Sequence, residues 1–421
     1  MPNGRKVVIV VCDRLRRDLF GDATPTLIGF AKTATTFASH RAIFPSATRV
    51  TSASIATGCV PGRHDLHGNM MGLDDGGGPV AYSVGEPDFV ERLRSMTGRT
   101  LRRPTLAERV VGSGRAMIFS NVSAGAAYFQ DPDGFGYVYH RAGSYGPGRV
   151  RLPDEKGLTV GSGVAGDRAM TERFCQRLRS QEIPPLSVLW QSEPDWTAHR
   201  YPLGSPTHPA AIRATDDNVE RVLEAIDTVP KDDLLLIVCS DHGNETVRRE
   251  IDVTEQLIKA GFKDGPSSRD IAAASQSAAS LIYFSSPSAE KVADVATFLK
   301  DQDWTGPVYV GEELRQLGME PEGGLSIALS MATSGETNSF GVRGYSDLAI
   351  DPEDKKDSKG FGNHGGLGLN ERQQPFLMIR GVGFLPSAVR SDPTSPVDLA
   401  PTALCHLGRE VKGMDGRALQ R

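Results

Sequence analysis

The chain has few cysteines, and their positions form no recognisable pattern. The five residues, at positions 12, 59, 175, 239 and 405, include no C-x-x-C pair and are odd in number. Such a set argues against a disulfide framework and favours reduced thiols. We therefore expect a cytoplasmic protein.

Long apolar runs and an excess of basic charge are also missing. No stretch approaches the ~18 consecutive apolar residues of a membrane span. The formal net charge is −5, whereas proteins that bind nucleic-acid polymers or membrane surfaces usually present a basic field. Neither partner is expected. The basic clusters at 14–17 and 99–103 are accordingly interpreted as solvated surface.

The apolar run near the N-terminus is too short to be a signal peptide. It covers residues 7–11 and leads directly into Asp13, Arg14 and Arg16. A signal peptide needs an apolar segment of ~7–15 residues and a cleavage site after it. The run is better explained as a buried strand.

Alternating strand and helix patterns predict an α/β protein. With 421 residues and 39% hydrophobic content, the chain can bury a large core. Apolar, β-branched runs without alternation are typical of parallel strands covered on both faces, and helical periodicity lies between them. This order favours a doubly wound, mostly parallel sheet. The predicted strands are Lys6–Cys12, 115–119, 186–190, Leu234–Cys239 and 375–379, and the predicted helices are 51–57, 104–111, 165–180 and 211–227.

The pattern changes between about residues 267 and 345, where a small α+β cap is predicted. A strand at Ala279–Phe284, a helix at 289–299 and strands at 308–310 and Leu325–Met331 follow one another. We interpret them as an insertion into the main domain, which then comprises 1–266 and 346–421. Residues 266–268 and 351–359 read as connecting loops.

Polar residues follow three of the predicted strands. Asp13 comes directly after the first strand, Asp195 follows the 186–190 strand, and Asp241 follows the Leu234–Cys239 strand. Functional groups of doubly wound sheets collect at the carboxyl ends of the strands, so these side chains should lie at one edge.

Three histidines accompany these carboxylates. His199 lies one helical turn after Asp195, His242 adjoins Asp241, and His364 lies in a Gly-Asn-His-Gly-Gly segment. Each motif alone has an ordinary explanation, as a surface pair, a helix cap or a loop residue. Together they predict a site for two divalent metals, a common arrangement for hydrolysing phosphate esters.

The segment 44–58 contains six hydroxyl side chains, and composition does not select among them. Thr48 begins a T-x5-S-I-x-T-G pattern that is followed by Pro61, His67-Gly68 and Asn69. This pattern resembles the nucleotide pyrophosphatase/phosphodiesterase branch of the alkaline phosphatase superfamily. The ordered motifs span most of the chain, with one departure, Ala198 where that family has glycine.

The resemblance implies an alkaline-phosphatase-like fold and roles for individual residues. Thr48 would be a metal-bound nucleophile that forms a phospho-threonine, and Asn69 would contact a phosphoryl oxygen. One ion would be held by Asp195, His199 and His364, and the other by Asp13, Thr48, Asp241 and His242. Zinc suits this nitrogen and oxygen donor set, with manganese as a second candidate.

Several rival activities remain as alternatives. Cys59-Val60-Pro61-Gly62-Arg63 fits the C-x-P-x-R signature of sulfatases, but it follows the nucleophile helix, whereas sulfatases place the cysteine before it. Phosphonoacetate hydrolases share the metal set but grip the substrate carboxylate with lysines after a central strand, where this chain has the lysine-free segment 120–125. Phosphoglycerate mutases use a serine and a larger insertion. A binding protein with degenerate chemistry would lack a ligand or the nucleophile.

The sequence therefore predicts a dizinc hydrolase of small-molecule phosphate esters, most simply diesters or phosphoanhydrides. A phosphonate hydrolase is the second choice, with a sulfatase or a phosphomonoesterase further behind. Neither the leaving group nor the oligomeric state follows from the sequence; a homodimer is one option.

Overall fold

The computed structural model describes residues 4–421 except 180–182, 228, 231–232, 287, 351–357 and 368–372. Most of the predicted loop 351–359 and the last residue of the predicted helix 165–180 therefore lie outside the described residues.

Strands and helices alternate through the first two thirds of the chain. The strands are β1 (Lys6–Cys12), β2 (Thr35–Phe37), β3 (Met70–Asp74), β4 (Pro79–Ser83), β5 (Met117–Ser120), β6 (Tyr137–Tyr139), β7 (Tyr145–Gly146), β8 (Val150–Arg151), β9 (Leu186–Gln191) and β10 (Leu234–Cys239). They continue as β11 (Glu245–Ile251), β12 (Ile271–Ser275), β13 (Ala279–Phe284), β14 (Thr305–Val310), β15 (Leu325–Met331), β16 (Thr333–Thr337), β17 (Arg343–Ala349), β18 (Gly362–Asn363), β19 (Leu377–Arg380) and β20 (Val389–Arg390).

The helices vary from a single turn to 19 residues. They are α1 (Pro25–Ala31), α2 (Thr48–Thr57), α3 (Pro61–His64), α4 (Phe89–Thr97), α5 (Leu106–Arg109), α6 (Ala124–Tyr128), α7 (Gly163–Leu178), α8 (Asp195–Ala198), α9 (Thr207–Ala225), α10 (Val253–Lys259), α11 (Ala289–Lys300) and α12 (Leu399–His406). Short 3₁₀ turns occur at Arg17–Leu19, Pro147–Arg149, Gly311–Leu317 and Pro396–Asp398. None of the described helices is both long enough and apolar enough to cross a membrane.

A ten-stranded sheet forms the centre of the structure, in the order β20-β2-β19-β10-β1-β9-β5-β6-β7-β8. Its middle, from β10 to β6, is parallel, which confirms the predicted fold class. Strand β19, predicted as residues 375–379, instead pairs antiparallel with β10. Burial on both faces produces the same apolar run for either direction, so the pattern could not reveal it.

Alternate residues of β1 belong to two separate cores. Val7, Ile9 and Val11 pack with residues of α2, α4, α6 and α12. Val8 and Val10 pack on the other face with residues of α1, α7 and α9. Both faces of β1 are covered by apolar side chains. The polar residue that follows the strand, Asp13, therefore lies beyond these two cores, at the end of the sheet.

Besides the two-stranded pair β3-β4, two four-stranded sheets accompany the central one. The first, β12-β13-β15-β14, has α11 packed against it through Val292, Val295 and Leu299. The second, β16-β17-β11-β18, combines strands from either side of the predicted cap boundary. Strand β17 itself contains residues 345 and 346, between which that boundary was placed. The division into a core and a cap stays a prediction.

Candidate metal centre

The ends of three parallel strands place the carboxylates predicted from the sequence at one edge of the sheet. Strand register aligns Val11 with both Cys239 and Trp190, so β1, β10 and β9 end at nearly the same level. Asp13 and Asp241 lie directly beyond the first two of these strands, and Asp195 begins the short helix α8 after the third. The topology alone therefore brings the three carboxylates together.

His364 reaches the same place from the second small sheet. It directly follows β18, which pairs antiparallel with β11 through Glu245 and Asn363. The His364 segment is tied to the loop before α2, because Ser46 donates its backbone N–H to Gly365 O over 3.2 Å. His364 Nδ1 lies 3.1 Å from the carbonyl oxygen of Ser46. If Nδ1 carries the ring proton, Nε2 is left as a free ligand atom.

His242 lies at the point where the side chains meet. Its Nε2 atom is 3.2 Å from Asp241 Oδ2, 3.5 Å from Asp13 Oδ1 and 3.1 Å from Thr48 Oγ1. The other ring nitrogen lies 3.0 Å from the carbonyl oxygen of Gly243, which leaves Nε2 available for a metal. Four potential ligand atoms from three separate segments thus surround one small volume.

Among the residues that the structure describes, two groups of side chains have ligand atoms close enough to share an ion, with all atoms of a group within 4.8 Å of one another. The first group is Asp13, Asp241 and His242, and the second is Asp195, His242 and His364. The rings of His242 and His364 are stacked with centroids 4.2 Å apart. His242 therefore belongs to both groups.

His199 belongs to neither group, although the family resemblance implies that it holds an ion. Its Nε2 atom is 3.3 Å from Asp195 Oδ1, and its side chain is 39% exposed. The ring also makes an edge-on contact with that of His364, with centroids 5.3 Å apart. His199 thus borders the second group and faces solvent.

The electrostatics of the first group call for a cation. Burial, followed by the charges of Asp241 and Asp195, raises the pKa of Asp13 well above its usual range. Burial also raises the pKa of Asp241, despite the nearby His242. Asp13 Oδ1 and Asp241 Oδ2 are buried and have no hydrogen-bond partner among the described residues. Oxygen atoms in this state fit a divalent ion, which would offset both desolvation and mutual repulsion.

Arg14 is a site residue that the sequence did not reveal. The cluster 14–17 was expected on the surface, but Arg14 and Arg16 are fully buried, so that expectation was wrong. Arg14 Nη1 lies 2.7 Å from Asp195 Oδ1, and its backbone N–H donates to Asp241 Oδ1 over 2.9 Å. The backbone of Arg14 is in the left-handed region, with φ of 66°.

Of the three carboxylates at the site, Asp195 is the one whose side chain forms an ion pair with an arginine, Arg14, among the described residues. Burial favours its neutral form, but His199 and Arg14 outweigh that effect and hold the pKa of Asp195 well below its usual range. The sequence gives little indication of the pair between Arg14 and Asp195, because the two residues are far apart along the chain. A D-R step directly after a buried strand was the only signal that could have suggested it.

Thr48 is the first residue of α2, and Asn69 is held beside it. The backbone N–H of Arg49 donates to Asn69 Oδ1 over 3.2 Å. The backbone N–H of Asn69 donates to Gln276 Oε1 over 2.6 Å. Within the described part of the chain the Asn69 Nδ2 group has no acceptor, so it can donate to a ligand.

Gln276 connects the first small sheet to the site. It lies in the turn between β12 and β13, and the N–H of Ala278 in the same turn donates to His364 O over 2.6 Å. Two glycines make this close approach possible. A Cβ at Gly68 would lie 2.0 Å from Gln276 Oε1, and one at Gly365 would lie 1.7 Å from the carbonyl oxygen of Gln276.

A cleft of about 790 Å³ lies beside the two groups of potential metal ligands. Its lining includes Arg49, Asn69, Ser83, His199, Arg200 and His364. No aspartate or glutamate belongs to that lining in the ranges that the structure describes.

Cys59 lies at the opposite end of α2 from Thr48. The helix has 10 residues, so its two ends are roughly 15 Å apart. The Cys59 thiol is buried near the carbonyl oxygens of Thr57 and Gly413, and burial raises its pKa. This neutral thiol occupies a turn between α2 and α3.

The chain is similar to known proteins in sequence pattern and in fold. The sequence profile of the family "type I phosphodiesterase / nucleotide pyrophosphatase" matches residues 7–312. The chain belongs to that family and is a phosphoester hydrolase. Comparison with curated protein sequences gave no significant match.

Solved structures show the same fold at low sequence identity. Murine ectonucleotide pyrophosphatase/phosphodiesterase 5, in an inactive threonine-to-alanine form in complex with AMP, superposes with a TM-score of 0.69 at 17% identity and covers 98% of this chain and 97% of that chain. The human counterpart has a TM-score of 0.66 at 16% identity, with 98% and 97% covered. At these identities the likeness concerns the fold alone.

We expect His242→Ala to lose both bound ions, because Nε2 of this residue belongs to both ligand groups. His364→Ala should lose only one. The metal content per chain, measured by mass spectrometry after dialysis against defined zinc, distinguishes these outcomes. His208→Ala is the matched control, since His208 is buried but lies in neither group. Equal metal loss in His242→Ala and His364→Ala would contradict the shared position of His242.

Cys59→Ala should retain at least about half of the wild-type hydrolysis rate, since the buried thiol lies at the opposite end of α2 from Thr48 and contacts none of the ligand groups. The measurement is turnover of bis-p-nitrophenyl phosphate and of p-nitrophenyl sulfate by both proteins. Complete inactivity of a well-folded Cys59→Ala variant would restore the sulfatase alternative.

Gln276→Ala should lower turnover roughly tenfold while metal content stays normal, because an unpaired buried N–H at Asn69 costs about 1–3 kcal/mol. Steady-state kinetics on the diester substrate, with metal analysis of the same samples, provide the test. Unchanged turnover would show that Asn69 does not depend on Gln276.

Proposed function

We propose that the chain hydrolyses phosphodiesters or phosphoanhydrides through a Thr48 nucleophile and two divalent ions. The observation that carries the proposal is the convergence of Thr48 Oγ1, Asp13 Oδ1 and Asp241 Oδ2 on His242 Nε2, all within 3.5 Å. The Thr48 hydroxyl lies among these buried ligand atoms. A bound ion could therefore activate it for attack on the phosphorus of a substrate.

The donor set favours zinc, with manganese as the second candidate. Imidazole nitrogen and carboxylate oxygen without thiolate are common zinc ligands. When bound, such ions would supply positive charge that lowers the pKa of a neighbouring hydroxyl and stabilises charge on phosphoryl oxygens. Asp13, Asp241 and His242 would hold one ion, and Asp195 and His364, with His242 or His199, would hold the other.

The residues of the chain account for the remaining steps. Thr48 Oγ1 would pass its proton to solvent and attack phosphorus, the leaving group would depart with its ester oxygen and the electron pair of the broken P–O bond, and a phospho-threonine would form. Water would then attack that phosphorus and break its bond to Thr48 Oγ1, which recovers a proton from the water as the phosphate product leaves. The Asn69 Nδ2 group would donate to a phosphoryl oxygen as charge builds there.

Two further observations support this proposal over its rivals. The murine structural neighbour is inactive with a threonine replaced by alanine, and it binds AMP. Both facts fit a threonine nucleophile and a nucleotide-derived substrate. The buried, distant position of Cys59 disfavours a sulfatase. A cytoplasmic location also remains a proposal, supported by five cysteines that are all free thiols.

Thr48→Ala should reduce turnover of bis-p-nitrophenyl phosphate by on the order of 10³-fold or more, because nucleophile removal eliminates the covalent route. Thr48→Ser, which keeps a hydroxyl, should retain measurable activity. Metal content of both variants should stay near wild type, since the carboxylates and imidazoles remain.

Acid quenching during turnover should trap phosphate on Thr48 in the wild type and not in Thr48→Ala, as read by peptide mass spectrometry. Full activity in Thr48→Ala would refute the nucleophile assignment. Turnover confined to p-nitrophenyl phosphate would replace the diesterase by a phosphomonoesterase.

A further inference from the structure

Arg49 follows the proposed nucleophile directly and extends along the wall of the cleft. Its Nη1 group donates to the carbonyl oxygen of Asn69 over 2.7 Å and to Ser83 Oγ over 3.3 Å. Its Nε group donates to Ser123 Oγ over 3.2 Å. Each of these acceptors is neutral.

The guanidinium therefore has a charge that the protein does not neutralise by contact. Within the described ranges no carboxylate lies within ion-pair distance of Arg49. Burial lowers its pKa to about 10, although the more distant charges of Glu86 and Asp195 act in the opposite direction, and the group stays protonated at neutral pH. A partly buried cation without a counter-ion is unfavourable, and an anionic ligand would remove that cost.

The structure also leaves room and donors for such a ligand. The Nη2 group of Arg49 has no acceptor among the described residues. It lies beside Gly85, where a Cβ would come within 2.4 Å of it. The backbone thus passes close to the guanidinium, and two N–H bonds remain for an oxygen that enters the cleft.

The charge of the cleft points to the same kind of ligand. Arg200 also lines it, donates to the carbonyl oxygen of Trp196 and lies over the Trp196 ring, 4.0 Å from its centroid. The described lining thus contains two arginines and no acidic residue, and arginine side chains on the wall of a cleft attract anions.

We propose that Arg49 is a specificity-determining residue that binds a second anionic group of the substrate, a carboxylate or phosphate joined by a short link to the scissile phosphoryl group. This inference rests on the proposed function and specifies its substrate class. The link must be short because Arg49 hydrogen-bonds Asn69 on both its backbone oxygen and its Oδ1. The second anion would therefore lie next to the phosphoryl group that Asn69 contacts.

The position of Arg49 also changes one conclusion drawn from local sequence. The segment 120–125 contains no lysine, which counted against a carboxylate-bearing substrate. Arg49 brings a cation to that segment from α2, through its contact with Ser123. Carboxylate and phosphate oxygens both suit a guanidinium, so substrates must separate them.

Three substrates with the same leaving group test the proposal. Ethyl p-nitrophenyl phosphate has no second anion, carboxymethyl p-nitrophenyl phosphate adds a carboxylate, and p-nitrophenyl diphosphate adds a phosphate. We expect kcat/KM of the wild type to favour at least one charged substrate over the ethyl ester by at least about tenfold. The favoured substrate identifies the anion.

Arg49→Gln should remove that preference, and Arg49→Lys should retain part of it. The ratio of the two kcat/KM values is the readout, because a purely structural defect would lower both values together. Arg141→Gln is the matched control, since Arg141 donates to Asn121 and Val122 of the same segment but does not line the cleft. Its ratio should equal that of the wild type.

Different results separate failure of this inference from failure of the proposed function. If the ethyl ester is hydrolysed and the ratio is insensitive to Arg49→Gln, the role of Arg49 is overturned while the hydrolase proposal stands. The same holds if Arg200→Gln, and not Arg49→Gln, removes the preference. If no diester is hydrolysed, calorimetric titration of wild type and Arg49→Gln with phosphonoacetate decides. Equal affinities would then overturn the inference, and weaker binding by the variant would support it.

Discussion

Three carboxylates gathered at the buried end of a parallel sheet are the constraint on which the rest of this site depends. Asp13, Asp241 and Asp195 each leave a strand at the same level, and the first two are almost fully enclosed. The negative charges of such carboxylates repel one another, and burial removes their hydration. The folded chain therefore needs positive charge to compensate. Arg14 provides it permanently at Asp195. At Asp13 and Asp241, the proposed metal ions would provide this charge for carboxylate oxygens that have no hydrogen-bond partner among the described residues.

Residues that follow strands were predictable because the fold rule and the local pattern agree. The apolar runs located β1, β9 and β10, and a doubly wound sheet has only one edge at which their carboxyl ends can meet. The direction of β19 was not predictable, since burial determines its composition and pairing determines its direction. The start of α2 was placed at residue 51 because its periodicity begins only after the first turn, whereas the helix starts at Thr48; its end at Thr57 was predicted correctly.

The buried arginines show where reading charge from sequence fails. A cluster of basic residues usually lies in water, and nothing in the letters 14–17 distinguishes Arg14, which pairs with a carboxylate about 180 positions later. Arg49 was missed for a related reason. Its side chain donates only to neutral oxygen atoms, of Asn69, Ser83 and Ser123, and these contacts become visible only when the surrounding segments are in place. The sharing of His242 between two ligand groups likewise depends on distances that motif order does not encode.

The turn that contains Gln276 has a consequence for how this architecture can vary. The side chain of Gln276 accepts a hydrogen bond from the backbone N–H of Asn69 beside Thr48, and the N–H of Ala278 donates to the carbonyl oxygen of His364. Peripheral sheets of this kind are often regarded as interchangeable decorations that adjust substrate choice. In this protein, replacing the hairpin that contains this turn by one from a distant homologue would impair the reaction itself as well as the recognition of the substrate. Natural or engineered chimaeras should therefore preserve the glutamine turn even when everything else in the hairpin is replaced.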